Sequence, residues 1–227
     1  MNPPSTLSRR DFFGQGVKTV AASALAGVTL PHVHAAGSGT IQLAIVGSGG
    51  RGSGAIANAM EATGSTTKLV AMADLYEDRL QMAHRNLYDK FEQRIDVPSE
   101  RQFIGFDAYK KAVDSLRPGS GDIVLLTGYA GFRPAHLEYA VERGVNVFME
   151  KSFATDPVGV RRVIAAAEAA EKKGVRIAAG LMCRHSPNRE ELIRRLRAGE
   201  LGDLQYTRAY RMGPVGPLGP KPADKSE

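Results

Sequence analysis

From residue 41 onward, short apolar runs alternate with longer stretches in which apolar residues recur every three or four positions. The apolar runs predict strands, and the stretches between them predict helices. This alternation is typical of a parallel sheet covered by helices on both faces, the doubly wound α/β Rossmann fold. The predicted strands are residues 41–46, 68–74, 103–106, 122–127, 145–149 and 175–180.

Helices are predicted between these strands, at residues 55–60, 77–91, 109–116, 135–142 and 157–173. The last of them follows Asp156-Pro157 and stops at Gly174, which are ordinary start and stop signals of a helix. An apolar stripe predicts the face that this helix buries. The stripe consists of Val160, Val163, Ile164 and Ala167.

After residue 180 the pattern changes. A helix is predicted at 187–198, and residues 203–212 then alternate like a half-exposed strand of an antiparallel sheet. We expect an α+β domain to begin here and to be incomplete, because one strand makes no stable sheet. The predicted organisation is a signal peptide at 1–36, a Rossmann core at 37–152, its crossover helix and last strand at 153–182, and the beginning of a C-terminal substrate and oligomerisation domain at 183–227.

The first 36 residues are expected to be a targeting segment rather than part of the fold. Arg9 and Arg10 precede two phenylalanines, a mildly apolar stretch and an A-x-A-like sequence that ends at Ala35. This segment is similar to a twin-arginine signal, and it predicts export to the periplasm by the twin-arginine machinery. The alternative is an ordinary basic N-terminus without regular structure.

The amino-acid composition of the chain excludes several kinds of function. Of the 227 residues, 43% are hydrophobic and 24% are charged, as in soluble globular proteins. The net charge is +6, but the basic residues are interspersed with acids, which argues against a nucleic-acid partner. The single cysteine, Cys183, excludes an internal disulfide, and no His, Cys or acidic pair has the spacing of a metal site.

The most specific motif lies between the first strand and the first helix. Gly47, Gly49 and Gly52 have the G-x-G-x-x-G spacing. The first glycine permits a tight turn, the second lets the backbone approach a pyrophosphate, and the third lets helix and strand pack closely. The phosphates bind the free N–H groups at the start of the helix. The flanking strand and helix favour a dinucleotide site over a flexible loop. The predicted cofactor contacts are Gly47, Ser48, Gly49, Gly50, Arg51 and Gly52.

An acid at the end of the second strand extends this motif. Asp74 lies 22 residues after Gly52, where a carboxylate accepts hydrogen bonds from ribose hydroxyls and repels a 2′-phosphate. NAD is therefore the predicted cofactor, and NADP stays open because Arg51 or Arg79 could soften the preference. The alternative role of Asp74 is to cap the helix that begins near Tyr76.

Residues that follow the other strands are candidates for chemistry, because ligands of open parallel sheets bind at the carboxyl ends of the strands. Lys151 has the best placement. Its ammonium could hydrogen-bond the alcohol or carbonyl that undergoes hydride transfer and stabilise negative charge on that oxygen. The alternative is a solvated lysine that pairs with Glu150.

Residues 41–212 resemble the Gfo/Idh/MocA oxidoreductases, the family of glucose–fructose oxidoreductase and the inositol dehydrogenases. The glycine loop and Asp74 match the nucleotide site of that family. Thr127, followed nine residues later by His136, resembles its T-P…H stretch, although Gly128 replaces the proline.

A second motif of that family is also matched. Residues 144–152 resemble G-K-H-V-x-x-E-K-P, with Ser152 in place of the final proline. In the family the lysine of this motif serves the active site, so the resemblance implies that Lys151 is the catalytic residue. It also implies that Glu150 and the turn at Thr127 line the nicotinamide side of the cofactor.

The resemblance assigns three further residues. His136 is expected to contact the cofactor, the alternative being a hydrogen bond to the loop before its helix. Arg184 and His185 resemble a segment that enters the substrate pocket. The remaining catalytic groups of the family, commonly an aspartate and a histidine, come later in its sheet domain, and this chain ends before them.

The sequence therefore predicts an exported NAD(P)-dependent oxidoreductase that transfers a hydride between nicotinamide and a hydroxyl carbon of a sugar or polyol. The substrate class comes from the resemblance, which also implies a homo-oligomer formed through the C-terminal sheet. Two alternatives stay open: an NAD-dependent redox-assisted glycosidase of the same superfamily, and a non-catalytic dinucleotide-binding protein. The chain alone is expected to be inactive if it is a fragment.

Overall fold

In the computed structural model, residues 39–63 and 66–210 are described. The predicted signal peptide at 1–36 lies outside these residues, as does the tail from residue 211. Six parallel strands form one sheet with the order β3-β2-β1-β4-β5-β6. The strands are β1 (Ile41–Val46), β2 (Thr67–Asp74), β3 (Gln102–Ile104), β4 (Ile123–Leu126), β5 (Asn146–Met149) and β6 (Ile177–Ala179).

The strand order places a topological switch point between β1 and β4. The chain moves outward in one direction from β1 to β3, and in the other direction from β4 to β6. Because all strands are parallel, their carboxyl ends lie on one edge of the sheet. Ligands of such sheets bind outside this edge, beside the switch point. The predicted Rossmann fold is confirmed.

Helices connect and follow the strands. They are α1 (Gly50–Thr63), α2 (Glu77–Phe91), α3 (Ala108–Asp114), α4 (Arg133–Glu142), α5 (Pro157–Lys173) and α6 (Pro187–Arg197), with short 3₁₀ turns at Glu92–Arg94, Ser99–Arg101 and Met182–His185. The predicted start and stop signals of α5, Asp156 and Gly174, are confirmed. The Asp156 carboxylate accepts a hydrogen bond from the Gly159 N–H at 2.8 Å, and Gly174 follows the helix with a φ of 70°.

Apolar side chains fill both faces of the sheet. Val124 and Leu137 belong to the layer beneath α3, α4 and α5, whereas Ile45, Ile56 and Leu80 belong to the layer beneath α1 and α2. All five side chains are fully buried, and burying each contributes about 1.5–3 kcal/mol. Burial on both faces explains why the apolar runs are nearly continuous in the central strands.

The apolar stripe predicted for α5 is wrong in part. Val160 and Ile164 are 47% and 54% exposed, and the buried residues of the helix include Ala166 and Ala170 instead. Small residues face the core because the helix lies close to α4: a Cβ added at Gly159 would meet the Pro134 side chain at 3.3 Å. Where two elements pack closely, small alanine side chains fit between them better than the branched side chains of valine and isoleucine.

The chain divides into two compact units, the second beginning at Leu181. In the second unit α6 buries none of its residues. The strand predicted at 203–212 is wrong for residues 204–210, which have no regular secondary structure; 211 and 212 lie outside the described residues. An alternating pattern makes a strand when a partner supplies hydrogen bonds, and the described residues of this unit supply no partner strand.

No helix in the described ranges has the length and apolar character needed to cross a membrane.

Candidate dinucleotide site

A cleft of about 290 Å³ opens at the carboxyl ends of β1, β2 and β4, beside the switch point. Gly47 lines it from the loop after β1, Arg51 from the first turn of α1, Asp74 from the end of β2, and Thr127 from the end of β4. His136, on the first turn of α4, forms part of another wall. The fold therefore brings residues that are widely separated in sequence to one edge of the sheet.

The three motif glycines face different surroundings. Gly47 has a φ of 98°, and a Cβ there would collide with the backbone of Gly128. A Cβ at Gly52 would meet the Ile45 side chain and the Thr127 hydroxyl at 2.8 Å. A Cβ at Gly49 would meet nothing within 4 Å. The first and third glycines are thus required by packing, whereas the second faces open space where a ligand can approach the backbone.

Hydrogen bonds from the end of β4 hold the glycine loop. The Thr127 hydroxyl donates to the Gly47 carbonyl at 2.6 Å, and the Gly128 N–H donates to the Val46 carbonyl at 3.0 Å. Proline lacks an N–H and could not make the second bond. Glycine at position 128, where the family motif has proline, therefore adds a backbone link between β1 and β4.

The Asp74 carboxylate is fixed at the rim of the cleft by two backbone donors. The Ser48 N–H lies 2.6 Å from Oδ2, and the Tyr76 N–H lies 3.0 Å from Oδ1. The helix α2 begins at Glu77 and receives no side-chain cap, so Asp74 forms a turn before the helix rather than capping it. These bonds orient the carboxylate and leave acceptor positions for a ligand.

Aromatic and cationic side chains border Asp74. The Arg79 guanidinium lies 4.8 Å from the centre of the Tyr76 ring, and its Nη1 lies 3.5 Å from the Tyr129 hydroxyl. All three residues line the cleft, and all three are exposed. The positive charge of Arg79 therefore lies on the same rim of the cleft as the Asp74 carboxylate. Arg79 is one of the two arginines expected from the sequence to soften the preference against a 2′-phosphate.

Glu150, directly after β5, is buried and binds Arg51 in the first turn of α1. Arg51 Nε lies 2.8 Å from Glu150 Oε1, and Nη2 contacts the same oxygen. A Cβ at Gly180 would collide with this carboxylate, so glycine there makes room for it. Lys151 is exposed and is not the partner of Glu150. The alternative of a Glu150–Lys151 pair is therefore wrong.

Arg133 is a buried residue of this region that sequence reasoning missed. It is 2% exposed, and its Nη1 lies 2.6 Å from the Glu150 carbonyl oxygen. It also donates to the carbonyls of Ser152 and Gly128. Burial lowers the pKa of its guanidinium, and attraction to Glu150 opposes that effect. Arginine is rarely buried, and nothing in the local sequence marks Arg133 as an exception.

His136 packs among aromatic rings on the cleft wall. Its ring stacks on Tyr109 with a centroid separation of 4.2 Å, and Phe132 lies on another side at 6.2 Å. Burial, followed by the nearby charge of Arg133, lowers the pKa of His136 to about 4. The imidazole is therefore neutral at pH 7 and can offer a hydrogen bond or a flat surface without carrying charge.

Comparison with known proteins fits this geometry. The family model described as an oxidoreductase family with an NAD-binding Rossmann fold, that of Gfo/Idh/MocA, matches residues 41–181. The chain belongs to the Gfo/Idh/MocA oxidoreductase family. No curated protein sequence matches the chain.

Solved structures give the same fold. Scyllo-inositol dehydrogenase from Lactobacillus casei, solved with NAD(H) and scyllo-inositol, is 21% identical with a TM-score of 0.53, over 72% of this chain and 43% of that one. Myo-inositol 2-dehydrogenase from Lactobacillus plantarum is 22% identical with a TM-score of 0.54, over 72% and 42%. The WlbA dehydrogenase from Bordetella pertussis, in complex with NADH and UDP-GlcNAcA, is 20% identical with a TM-score of 0.55, over 72% and 43%. The match spans less than half the length of each.

The residues present fit the NAD that this family's domain binds. Open space at Gly49 lets the pyrophosphate approach the loop backbone, and the start of α1 presents free N–H groups to it. Asp74 would accept the ribose hydroxyls. Among the described residues, no three His, Cys, Asp or Glu side chains gather into a site that could hold a metal ion.

The structure brings together most of the predicted cofactor residues. Gly47, Gly49, Gly50, Arg51, Asp74, Thr127 and His136 line the cleft. Ser48 and Gly52 lie behind them in the loop, and Glu150 is reached through Arg51. Lys151 follows Glu150 and is exposed, but it is not part of the cleft wall. Arg184 and His185 lie in the second unit, on an exposed 3₁₀ turn. The roles assigned to these residues stay predictions.

Proposed function

We propose that the chain is the NAD-binding part of a dehydrogenase that acts on a hydroxyl carbon of a sugar, a polyol or a related carbohydrate. The observation that carries this proposal is the placement of Lys151. It is exposed directly after β5, next to a glutamate that binds Arg51 in the first turn of α1. Similarity to dehydrogenases of scyllo-inositol and myo-inositol supports the substrate class.

Each residue of the site has a distinct proposed task. The backbone around Gly49 and the start of α1 bind the pyrophosphate, and Asp74 binds a ribose. NAD supplies a hydride acceptor or donor when bound. The Lys151 ammonium donates a hydrogen bond to the substrate oxygen and stabilises the negative charge that develops there. Arg184 and His185 are proposed substrate contacts, and association through the C-terminal sheet remains part of the proposal.

The test is turnover by the purified protein, in the 227-residue form and in any longer natural form, with NAD and a panel of sugars and polyols. The Lys151→Met variant should still bind NAD, with NAD⁺ binding no weaker than in the wild type, and lose about 10²–10³ in rate wherever the wild type turns over. Lys172→Met, on the exposed last turn of α5, is the matched control and should keep its rate. Near-normal turnover by Lys151→Met would contradict the assignment. Cleaved glycoside without net NADH formation would indicate a redox-assisted glycosidase instead.

We also propose that the protein is exported to the periplasm in the folded state, with NAD bound before export. The motif that supports this is Arg9-Arg10. Replacing both arginines by lysine should leave the protein in the cytoplasm, as measured by fractionation and immunoblotting. Unimpaired export of that variant would count against the twin-arginine route.

A further inference from the structure

We propose that Arg133 is a positioning residue that fixes Lys151 beside the nicotinamide ring, by holding the main chain on both sides of it. This inference rests on the proposed function. Arg133 is buried and is not part of the cleft wall, so it acts through Lys151 and not on the reaction directly.

The geometry is specific to the segment around Lys151. One nitrogen of the guanidinium, Nη1, donates to the carbonyls of Glu150 and Ser152, the residues immediately before and after the lysine. The other, Nη2, donates to the carbonyl of Gly128. A single planar group therefore ties the end of β5 to the turn after β4, and the Lys151 backbone lies between its contacts.

The placement of a charge here is difficult to explain by stability alone. Arg133 is nearly fully buried and is the first residue of α4, where the helix dipole disfavours a cation. A buried charge costs free energy unless it is fully hydrogen-bonded, and apolar replacements of buried ionic groups are often neutral or stabilising. The planar guanidinium of arginine can donate hydrogen bonds to several carbonyls and hold them at fixed distances, which an apolar side chain cannot do.

Glu150 is held from two directions at once. Arg133 holds its carbonyl, and Arg51 holds its carboxylate. Lys151, in contrast, makes no hydrogen bond or ion pair with any other residue among 39–63 and 66–210. A rigid backbone that carries one free ammonium is the arrangement expected of a group that must meet a ligand atom at a defined place.

The experiment measures the ratio of the dissociation constants for NAD⁺ and NADH, by calorimetry and by nicotinamide fluorescence. The oxidised ring is cationic and the reduced ring is neutral, so an ammonium beside the ring weakens NAD⁺ relative to NADH. Lys151→Met should therefore lower the ratio roughly tenfold, as expected for like charges a few ångströms apart in a partly solvated site. Arg133→Met should lower it several-fold in the same direction.

A double-mutant cycle separates positioning from a direct effect of the Arg133 charge. If Arg133 acts through Lys151, Arg133→Met changes the ratio in the wild-type background and leaves it unchanged in the Lys151→Met background. An equal change in both backgrounds would show that the charge acts on the ring directly, and the proposal would be wrong. Arg133→Lys keeps a buried cation but cannot span all three carbonyls, so it should behave like Arg133→Met.

Arg94 offers a matched control. It also donates from a guanidinium to backbone carbonyls, those of Met60 and Thr67, but Thr67 begins β2, at the edge of the sheet opposite the cleft. Arg94→Met should lower the melting temperature and leave the ratio unchanged. If Arg133→Met also lowers the melting temperature and leaves the ratio unchanged, or if neither Arg133 variant folds, Arg133 contributes only to stability and the proposal fails.

Failure of the proposed function gives a different result. If Lys151→Met leaves the ratio unchanged, the ring does not lie beside Lys151, and both the catalytic assignment and the positioning role are overturned. If Lys151→Met changes the ratio and both Arg133 variants leave it unchanged, the catalytic assignment stands and the positioning role alone is overturned.

Discussion

Arg51 and Glu150 form an ion pair that joins the two halves of the sheet, with Arg51 Nε 2.8 Å from Glu150 Oε1. Arg51 is the second residue of α1, which follows β1, and Glu150 follows β5. The carboxylate side chain is 6% exposed and the guanidinium side chain is 55% exposed, so the pair lies at the boundary between interior and solvent. The geometry of this pair depends on the space that Gly180 leaves for the Glu150 carboxylate.

Gly180→Ala should disturb this pair, because the new Cβ would overlap the Glu150 carboxylate. We expect a loss of about 1–3 kcal/mol in the free energy of unfolding, as for other overpacked sites. Urea denaturation followed by circular dichroism measures it. Gly54→Ala is the matched control, because a Cβ there meets nothing within 4 Å and the residue lies inside α1. That variant should gain about 0.5–1 kcal/mol. Equal stability of both variants would contradict the packing described for Glu150.

The glycine loop and Asp74 were predictable because their signals are local. A strand, three glycines, a helix, a second strand and an acid lie within 34 residues, from 41 to 74. Their spacing reflects the geometry of one βαβ unit, and each glycine can be read from the backbone conformation or contact that it permits. The same holds for α5, whose start and end are set by Asp156 and Gly174.

Features that depend on distant contacts were not predictable in this way. Which face of α5 is buried depends on how closely the helix approaches its neighbours, and a count of apolar residues favours Val160 and Ile164, which are exposed. Arg133 is buried because the Glu150 carbonyl after β5 and the Gly128 carbonyl in the turn before α4 converge on it, and the first of these is distant in sequence. Residues 204–210 alternate like a strand, but pairing requires a partner strand.

Asp74 should make the site prefer NAD over NADP. Its carboxylate accepts ribose hydroxyls and would repel a 2′-phosphate, so Asp74→Ala should weaken NAD binding by about 10- to 100-fold, the range for a lost hydrogen bond to a charged group. NADP binding should be unchanged or tighter. Calorimetric titration of both nucleotides measures the ratio, and Asp89→Ala, an exposed carboxylate of α2 outside the cleft wall, is the control. An unchanged ratio in Asp74→Ala would refute the assignment, and Arg79 on the same rim would then be the residue to vary.

The neutral state of His136 should make stability depend on pH. Burial and the charge of Arg133 lower its pKa from 6.5 to about 4 in the folded chain. The unfolded chain therefore binds more protons between these values, so the free energy of unfolding falls as the pH drops through this window. Between pH 7 and pH 5 the wild type should lose about 1–2 kcal/mol more than His136→Phe, which keeps an aromatic ring against Tyr109 without a titrating nitrogen. Urea denaturation at both pH values tests this, and parallel losses would mean that His136 titrates normally.

The first unit should bind NAD without the second. Every residue that lines the cleft lies between Val46 and His136, and the compact unit that contains them ends at Gly180. Its six-stranded sheet is covered by its own helices, and a domain of about 140 residues is large enough for an independent core. We therefore expect residues 37–180 to fold cooperatively and to bind NAD within about threefold of the affinity of residues 37–227, since no cleft contact is removed.

Calorimetry on both forms tests this expectation, with Gly49→Asp as the control in each. That substitution places a negative charge where the pyrophosphate approaches, at a position with room for a side chain, so it should abolish binding without unfolding the protein. The shorter form should not oxidise sugars or polyols, because it lacks Arg184 and His185, the proposed substrate contacts. The exposed Leu204, Tyr206 and Tyr210 should make the longer form more prone to associate in sedimentation experiments. Loss of NAD binding on truncation at residue 180 would mean that the second unit supplies part of the cofactor site. Turnover by residues 37–180 would mean that the reaction does not need Arg184 and His185.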